Sequence, residues 1–246
     1  MKLLTTGNPK TAKGEKAGYL TAILHLAPAN LSGIEVCQFR TKGCTAACLN
    51  TAGRGGIVKK GESSNNIQRC RIARTQLMAR DFPGFKSQLI DEIAAHIRLA
   101  GRHELKPAIR LNGTSDLPVE TWGVMELFPT VQFYDYTKSA ARMLSFATDR
   151  MPRNYHLTFS LAETTANKVA SFTVLENGAN VAAVFAVKPS QELPLFWRGF
   201  PVIDGDKSDL RFLDFKALPG DSGHIVGLRA KGKGRKDTSG FVITAF

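Results

Sequence analysis

The feature of this chain that most restricts its fold is the repeated alternation of short apolar runs with helix-forming stretches. The apolar runs predict strands at Tyr19–Leu26, Ala108–Asn112, Thr130–Asp135, Tyr155–Ser160, Val181–Lys188, Phe200–Ile203 and His224–Arg229. Apolar residues at helical spacing predict helices from Ile67 to Met78, from Phe85 to Ile97, and at Val119–Leu127, Ser139–Thr148 and Thr164–Asn177. Strands that alternate with helices in this way are typical of parallel βαβ units.

Six or seven such units predict a single α/β domain over residues 1–246, folded as a partial or complete (β/α) barrel. An open doubly wound sheet is the alternative, and periodicity alone does not separate the two. We expect residues 1–18 to form a basic, irregular leader. Residues 27–65, which follow the first strand, predict a long ligand-binding loop, because irregular loops of that length are uncommon in compact domains unless they have a function.

Three of the four cysteines lie in that loop, at Cys37, Cys44 and Cys48. Soft thiolates favour iron–sulfur clusters or zinc, and the spacing here differs from the paired C-x2-C motif of structural zinc sites. We therefore predict that the three thiols hold a [4Fe-4S] cluster and leave one iron open. Zinc and buried, unligated thiols are the alternatives. Cys70 could be a fourth ligand, but its place in an amphipathic helical pattern favours a core position.

Polar side chains follow several of the predicted strands, at the ends that form the active-site face of a parallel barrel. For a polar ligand or cofactor, the predicted binding residues are Asn112, Ser115, Asp135, Ser160 and Lys188. The candidates for a catalytic role are Asp116, Asp135 and Lys138. Structural alternatives stay open: Ser115-Asp116 and Ser139 would cap helices, and Asp135 would form a buried ion pair with Lys138 or Arg110.

The chain carries a formal net charge of +12. Much of this charge lies in three segments without a regular pattern, at Lys10–Lys16, Arg54–Lys60 and Arg229–Lys236. Such an excess predicts attraction to nucleic acid or another polyanion, and solvated loops are the alternative.

The sequence also indicates where the protein works. No apolar run approaches the roughly 20 residues that a membrane-spanning helix needs, and the basic N-terminus lacks the apolar segment of a secretion signal. We therefore expect a cytoplasmic protein without membrane contact, whose cysteines are ligands or free thiols rather than disulfides.

Several motifs along the chain carry a resemblance to a known family. They lie at Cys44–Gly55, Ala73–Thr75, Arg110–Asp116, Tyr134–Lys138, Leu157–Ser160 and Lys236–Val242. In these motifs the chain resembles the "gene product 88" family of bacteriophage and actinobacterial proteins. The order of a strand, a three-cysteine loop and further βα units is also similar, more distantly, to radical-SAM proteins. In that superfamily the cluster loop follows the first strand of a partial (β/α)6 barrel, and the open iron chelates S-adenosylmethionine.

These resemblances imply a phage or prophage iron–sulfur protein that acts in the cytoplasm of the host cell. Two function classes follow. In the first, the protein is a radical-SAM-like enzyme that binds S-adenosylmethionine on the open iron and a small-molecule ligand beside the cluster. In the second, it is not an enzyme: the cluster is structural or redox-sensing, and the basic surface binds a host protein or nucleic acid.

Overall fold

The structure is a computed structural model that describes residues 1–7, 13–214 and 221–244. Its strands are β1 (Leu4–Thr5), β2 (Tyr19–Leu24), β3 (Lys106–Arg110), β4 (Gln132–Thr137), β5 (Tyr155–Ser160), β6 (Val181–Phe185), β7 (Phe196–Trp197), β8 (Phe200–Asp204), β9 (Ile225–Arg229) and β10 (Val242–Ile243). Its α-helices are α1 (Ala29–Ser32), α2 (Lys42–Ala46), α3 (Asn66–Arg80), α4 (Phe82–Arg102), α5 (Ala140–Ala147) and α6 (Thr165–Glu176). Short 3-10 helices lie at Leu49–Thr51, Gly53–Gly56, Val119–Trp122, Arg211–Leu213 and Gly232–Lys236.

The ten strands of the described chain belong to one sheet with the order β1-β2-β3-β4-β5-β6-β9-β8-β7, and β10 also pairs with β6. From β2 to β8 in that order all neighbours are parallel, as the alternation of strands and helices predicts. β1 and β7 are antiparallel and lie at the two ends of the order. The described strands therefore form a mixed α/β fold whose sheet is not closed.

The longer helices begin where the sequence places a polar cap. Asn65, Asp81, Ser139 and Thr164 each accept a hydrogen bond from a backbone amide in the first turn of α3, α4, α5 and α6. Such caps satisfy amides that have no partner inside the helix. The capping alternative is thus confirmed for Ser139, whereas Ser115 and Asp116 begin no helix.

Each strand places alternate side chains on the two faces of the sheet. One face packs against α4, α5 and α6 and contains the main apolar core, which includes Phe85, Leu89, Ile109, Phe133, Phe159, Leu175 and Phe185. On the other face a smaller cluster of Ala108, Tyr134 and Leu210 fills the amino-terminal half. Phe212 closes this cluster, with its ring centroid 5.0 Å from that of Tyr19 and 5.4 Å from that of Tyr134. The carboxyl-terminal half of the same face stays open for a cavity.

Three predicted elements differ from the structure. The helix at Val119–Leu127 is only a 3-10 turn, because Gly123 follows it in the left-handed region (φ 66°) and ends it. The leader is not wholly irregular, since β1 pairs with β2 and places Leu3 and Leu4 in the core; its residues 8–12 lie outside the described residues. The loop at 27–65 contains α1, α2 and two 3-10 helices.

Candidate functional site

A cavity of about 250 Å³ lies at the carboxyl-terminal ends of the parallel strands. Its sheet wall consists of side chains that alternate with those of the main core: Arg110, Tyr136, Ala182, Val184 and Leu228. The cysteine loop and the C-terminal segment with Phe241 and Val242 cover it from the other side. Ligands in parallel α/β sheets bind at this edge, where the loops after the strands meet.

The prediction of a [4Fe-4S] cluster on Cys37, Cys44 and Cys48 is wrong. The three cysteines line the same cavity. All four cysteines are described and free, yet in the described residues no three histidine, cysteine, aspartate or glutamate side chains are grouped so that they could hold a metal ion. These residues therefore fit neither an iron–sulfur cluster nor zinc. The radical-SAM-like interpretation depended on that cluster and loses its support.

The three cysteines occupy different parts of the loop that covers the cavity. Cys37 precedes α2 and has its thiol 3.8 Å from the Thr114 carbonyl oxygen, Cys44 lies within α2, and Cys48 lies beyond the end of α2. Burial, reinforced by the neighbouring Cys48 and Cys44, raises the pKa of Cys37 to about 12. Burial also raises the pKa of Cys48. At neutral pH Cys37 and Cys48 of the metal-free protein are therefore thiols.

Cys70 is exposed on α3 and does not line the cavity. Both predictions for it, a fourth ligand and a core position, are thus wrong. The face of α3 that is buried carries Gln68 and Thr75 instead, and Thr75 Oγ1 accepts a hydrogen bond from the Ala27 amide. The amphipathic pattern misled because polar side chains occupy the buried positions of α3, whereas Leu77 and Met78 are only partly buried against the core.

Asn112 organises the loop that follows β3. Its backbone N–H donates to Asp135 Oδ1 at 2.7 Å, and its side-chain oxygen accepts from Ser115 Oγ at 2.7 Å and from the Leu117 amide at 3.0 Å. Asn112 and Ser115 both line the cavity. The structure thus brings together two of the five predicted ligand-binding residues in a hydrogen-bonded turn.

Asp135 lies on the other side of the sheet from the cavity and is fully buried. Besides the Asn112 amide it accepts a hydrogen bond from the Tyr155 hydroxyl at 3.1 Å, and Arg110 Nε lies 3.9 Å from Oδ1. Burial raises the pKa of Asp135 to about 7, although Arg110 and the Asn112 amide act to lower it. The structural alternative of an ion pair with Arg110 is confirmed, and Asp135 does not line the cavity.

Asp116 lines the cavity, but its carboxylate already has partners. Oδ1 accepts a hydrogen bond from Arg142 at 2.7 Å, and Oδ2 accepts one from the Lys138 backbone amide at 2.8 Å. Arg142 also forms an ion pair with Glu120 at 2.7 Å and donates a hydrogen bond to the Tyr155 hydroxyl oxygen. This buried network was missed in the sequence, because Arg142 lies on a helix and Glu120 in a turn, where each resembles a surface charge.

Lys138 and Ser160 meet on the cavity wall, where Lys138 Nζ donates to Ser160 Oγ at 2.8 Å. The ammonium also lies 5.6 Å from the centre of the Phe241 ring. Lys188 behaves differently: it is exposed in the turn after β6 and does not line the cavity. Its backbone amide donates to Gln191 Oε1 at 3.2 Å.

Arg110 is the cavity's most buried cation, with 5% of its surface exposed. Its guanidinium lies 4.6 Å from the centre of the Tyr136 ring and 3.5 Å from Asp209 Oδ2, and its Nε makes no hydrogen bond with any described residue. Burial lowers the pKa of Arg110, but Asp209 and the other nearby anions outweigh it, so the net shift is upward. Arg110 therefore stays charged.

The ionisable groups that line the cavity are predominantly basic. They comprise six cations and three carboxylates, namely Lys13, Arg40, Arg110, Lys138, Arg229 and Lys231 against Asp116, Asp206 and Asp209. Asp206 accepts from Arg229 and Lys231, and Asp116 is held by Arg142. The cavity thus combines an apolar sheet wall with an excess of positive charge.

The fold and the site define a mixed α/β protein with a basic cavity at the carboxyl-terminal edge of a parallel sheet. The family model described as gene product 88 matches residues 2–245, so the chain belongs to the gene product 88 family, as its motifs indicated. No curated protein and no solved structure matches the chain. None of the described helices has the length and apolar character needed to cross a bilayer.

Proposed function

We propose that this protein binds a small organic anion, with a phosphate or carboxylate group, in the cavity. The observation that carries the proposal is that the Lys138 ammonium has few hydrogen-bond partners in the described chain. A lysine ammonium has three N–H donors, and within the described chain only Ser160 Oγ accepts one of them. No carboxylate in the described chain pairs with this ammonium. A half-buried cation with free donors is the group that an anion would satisfy.

The rest of the cavity supports the same ligand class. Arg110 adds a second buried positive charge to the cavity wall, and Tyr136, Val184 and Leu228 offer an apolar surface for the body of the ligand. A cavity with apolar walls and a few fixed polar groups is typical of small-molecule sites. We propose that the sheet curves round the ligand as a partial barrel within one domain.

The predicted ligand-binding residues have different roles in this proposal. We assign anion contact to Lys138, orientation of its ammonium to Ser160, and positioning of the loop after β3 to Asn112 and Ser115. A catalytic role for Asp116 or Lys138 stays a prediction, as does binding of S-adenosylmethionine, whose carboxylate belongs to this ligand class. Four free cysteines and the phage family support action in the reducing cytoplasm of a host cell.

The proposal is tested by calorimetric titration of the protein with inorganic phosphate, a nucleoside monophosphate, a dicarboxylate and S-adenosylmethionine. For the ligand that binds, we expect Lys138→Met to weaken binding about tenfold or more, because a charge-assisted hydrogen bond contributes about 1.5–3 kcal/mol. Lys138→Arg should retain part of the affinity.

Lys168→Met is the matched control, because Lys168 is exposed on α6 and does not line the cavity. It should bind as the unchanged protein does. The absence of binding for every anion in the series, or equal binding by Lys138→Met and Lys168→Met, would overturn the proposal.

A further inference from the structure

Two of the three basic segments contact the same 3-10 helix, Leu49–Thr51, beside the cavity. The 3-10 helix Gly232–Lys236 packs against residues 49–52, so closely that a Cβ on Gly232 would lie 3.2 Å from Ala52 Cα. Leu49, Lys231 and Gly234 belong to this contact region and also line the cavity. Residues 53–60 follow residues 49–52 directly in the sequence. We name residues 54–60 and 231–236 the basic rim, because both segments adjoin this contact region.

The cations of the basic rim are exposed and are not neutralised by other side chains. Six of them have no ion pair within 4.0 Å in the described chain: Arg54, Lys59, Lys60, Lys233, Arg235 and Lys236. Lys231 differs, because it pairs with Asp206. The adjacent Asp237 carboxylate accepts from the Val242 amide at 2.9 Å and from Ser239 Oγ at 2.6 Å. The rim thus presents positive charge to solvent.

Hydrogen bonds fix the backbone that carries these cations. Asn65 Nδ2 donates to the carbonyl oxygens of Arg54, Gly55 and Ile57 at 2.8–3.1 Å. Gln68 Nε2 donates to the Gly55 carbonyl at 2.8 Å, and Arg71 donates to Asn50 Oδ1 at 2.7 Å. α3 therefore holds the first half of the rim in place before any partner binds. A surface ordered in advance loses less entropy on binding.

Apolar side chains are exposed among these charges. Leu49 is 45% exposed, Ile57 70% and Val58 37%, and Phe39 on the cysteine loop is 45% exposed. The third basic segment contributes as well: Lys13 lines the cavity, whereas Lys10 lies outside the described residues. On such a surface the phosphates of a single strand would contact the cations, and the exposed Phe39 ring offers a face on which a base could stack.

We propose that the basic rim binds single-stranded nucleic acid. A duplex would hide its bases, and reading its major groove takes a projecting helix or β-ribbon, whereas the rim consists of short turns around the mouth of a cavity. The proposal goes beyond the cavity ligand and does not depend on it.

Fluorescence anisotropy with a labelled oligonucleotide of about 20 nucleotides tests the proposal directly, at about 50 mM and about 200 mM salt. The test variant combines Lys59→Gln, Lys60→Gln, Lys233→Gln and Lys236→Gln. Its control removes four exposed cations elsewhere, with Arg80→Gln, Arg102→Gln, Arg153→Gln and Lys168→Gln, so that both variants have the same net charge.

We expect the rim variant to bind the strand at least tenfold more weakly and the control to stay within about twofold of the unchanged protein. The salt dependence of binding should fall by about 0.7 in log–log slope for each phosphate contact that is lost. Equal losses in the two variants, salt-independent binding, tighter binding to the corresponding duplex, or no binding at the lower salt concentration would each overturn the proposal.

Discussion

Asp135 and Lys138 lie three residues apart at the end of β4, yet they face different surroundings. Asp135 is buried on the side of the sheet that packs against helices, whereas Lys138 reaches the cavity. Because side chains alternate along a strand, an odd spacing already indicates opposite faces. Burial raises the pKa of Asp135 from 3.8 to about 7, so ionisation of its carboxyl group at neutral pH reduces the stability of the fold.

This shift predicts a measurable pH dependence. Between 3.8 and about 7 the folded protein keeps a proton on Asp135 that the unfolded chain has released. Stability contributed by this group is therefore present at low pH and is lost as the pH rises through that window. We expect the free energy of unfolding of Asp135→Asn, relative to the unchanged protein, to increase from about pH 4.5 to about pH 7.5 in urea titrations.

Asp149→Asn is the control for this experiment, because Asp149 is exposed and its φ of 53° is a conformation that asparagine tolerates. Its stability relative to the unchanged protein should not vary with pH in the same way. If Asp135→Asn and Asp149→Asn give parallel profiles, Asp135 does not carry the raised pKa.

The element that covers the cavity is the cysteine loop, and Glu163 anchors it to the loop after β5. The Glu163 carboxylate accepts hydrogen bonds from Thr41 Oγ1 at 2.7 Å and from the Gly43 amide at 2.8 Å. Gly43 packs so tightly that an added Cβ would lie 2.7 Å from Phe241 Cβ and 2.9 Å from the Glu163 carboxyl carbon. Because Gly43 has no side chain, α2 can pack directly against the C-terminal segment.

Gly43→Ala should therefore loosen the cover of the cavity. We expect a loss of about 1–3 kcal/mol in the free energy of unfolding, the usual cost of overpacking. The half-buried thiols Cys37, Cys44 and Cys48 should also react faster with a thiol reagent such as Ellman's reagent.

Gly101→Ala is the matched control, since Gly101 lies in α4 with nothing within 4 Å of an added Cβ. That change should stabilise the protein slightly and leave thiol reactivity unchanged. Identical thiol kinetics in Gly43→Ala and the unchanged protein would contradict the role given to Gly43.

Most of the longer elements could be predicted from periodicity. The strand at Tyr155–Ser160 has the predicted bounds, and α5 and α6 lie within the predicted helices. The two-residue strands β1, β7 and β10 could not be found this way, because a run that short shows no period. β7 pairs with β8 directly after it in the chain, whereas β1 and β10 pair with strands farther away in sequence, and tertiary contacts decide such pairings.

At the scale of the whole molecule, the parallel sheet collects groups that the sequence keeps far apart. The pairing of β10 with the end of β6 brings the C-terminal segment over the cavity, and the contact of residues 49–52 with the turn at 232–236 joins two basic segments. The clustering of polar groups at strand ends was predictable from the parallel arrangement. The basic rim was not, since it depends on strand order and on how two irregular loops pack.

The arrangement of the whole chain also explains why the prediction of an iron–sulfur cluster was wrong. Their closeness in sequence correctly placed them at one cavity. Metal ligation also requires that the thiols are grouped at bonding geometry, and the described residues contain no such group. Sequence spacing alone does not contain that geometry.

An anion site at Lys138 is tested most sharply by a crystal structure determined with tungstate, an oxyanion whose metal scatters anomalously. We expect anomalous density inside the cavity, within hydrogen-bonding distance of Lys138 Nζ, and its loss in Lys138→Met crystals. Tungstate bound only on the basic rim, or density in the cavity that persists in Lys138→Met, would contradict it.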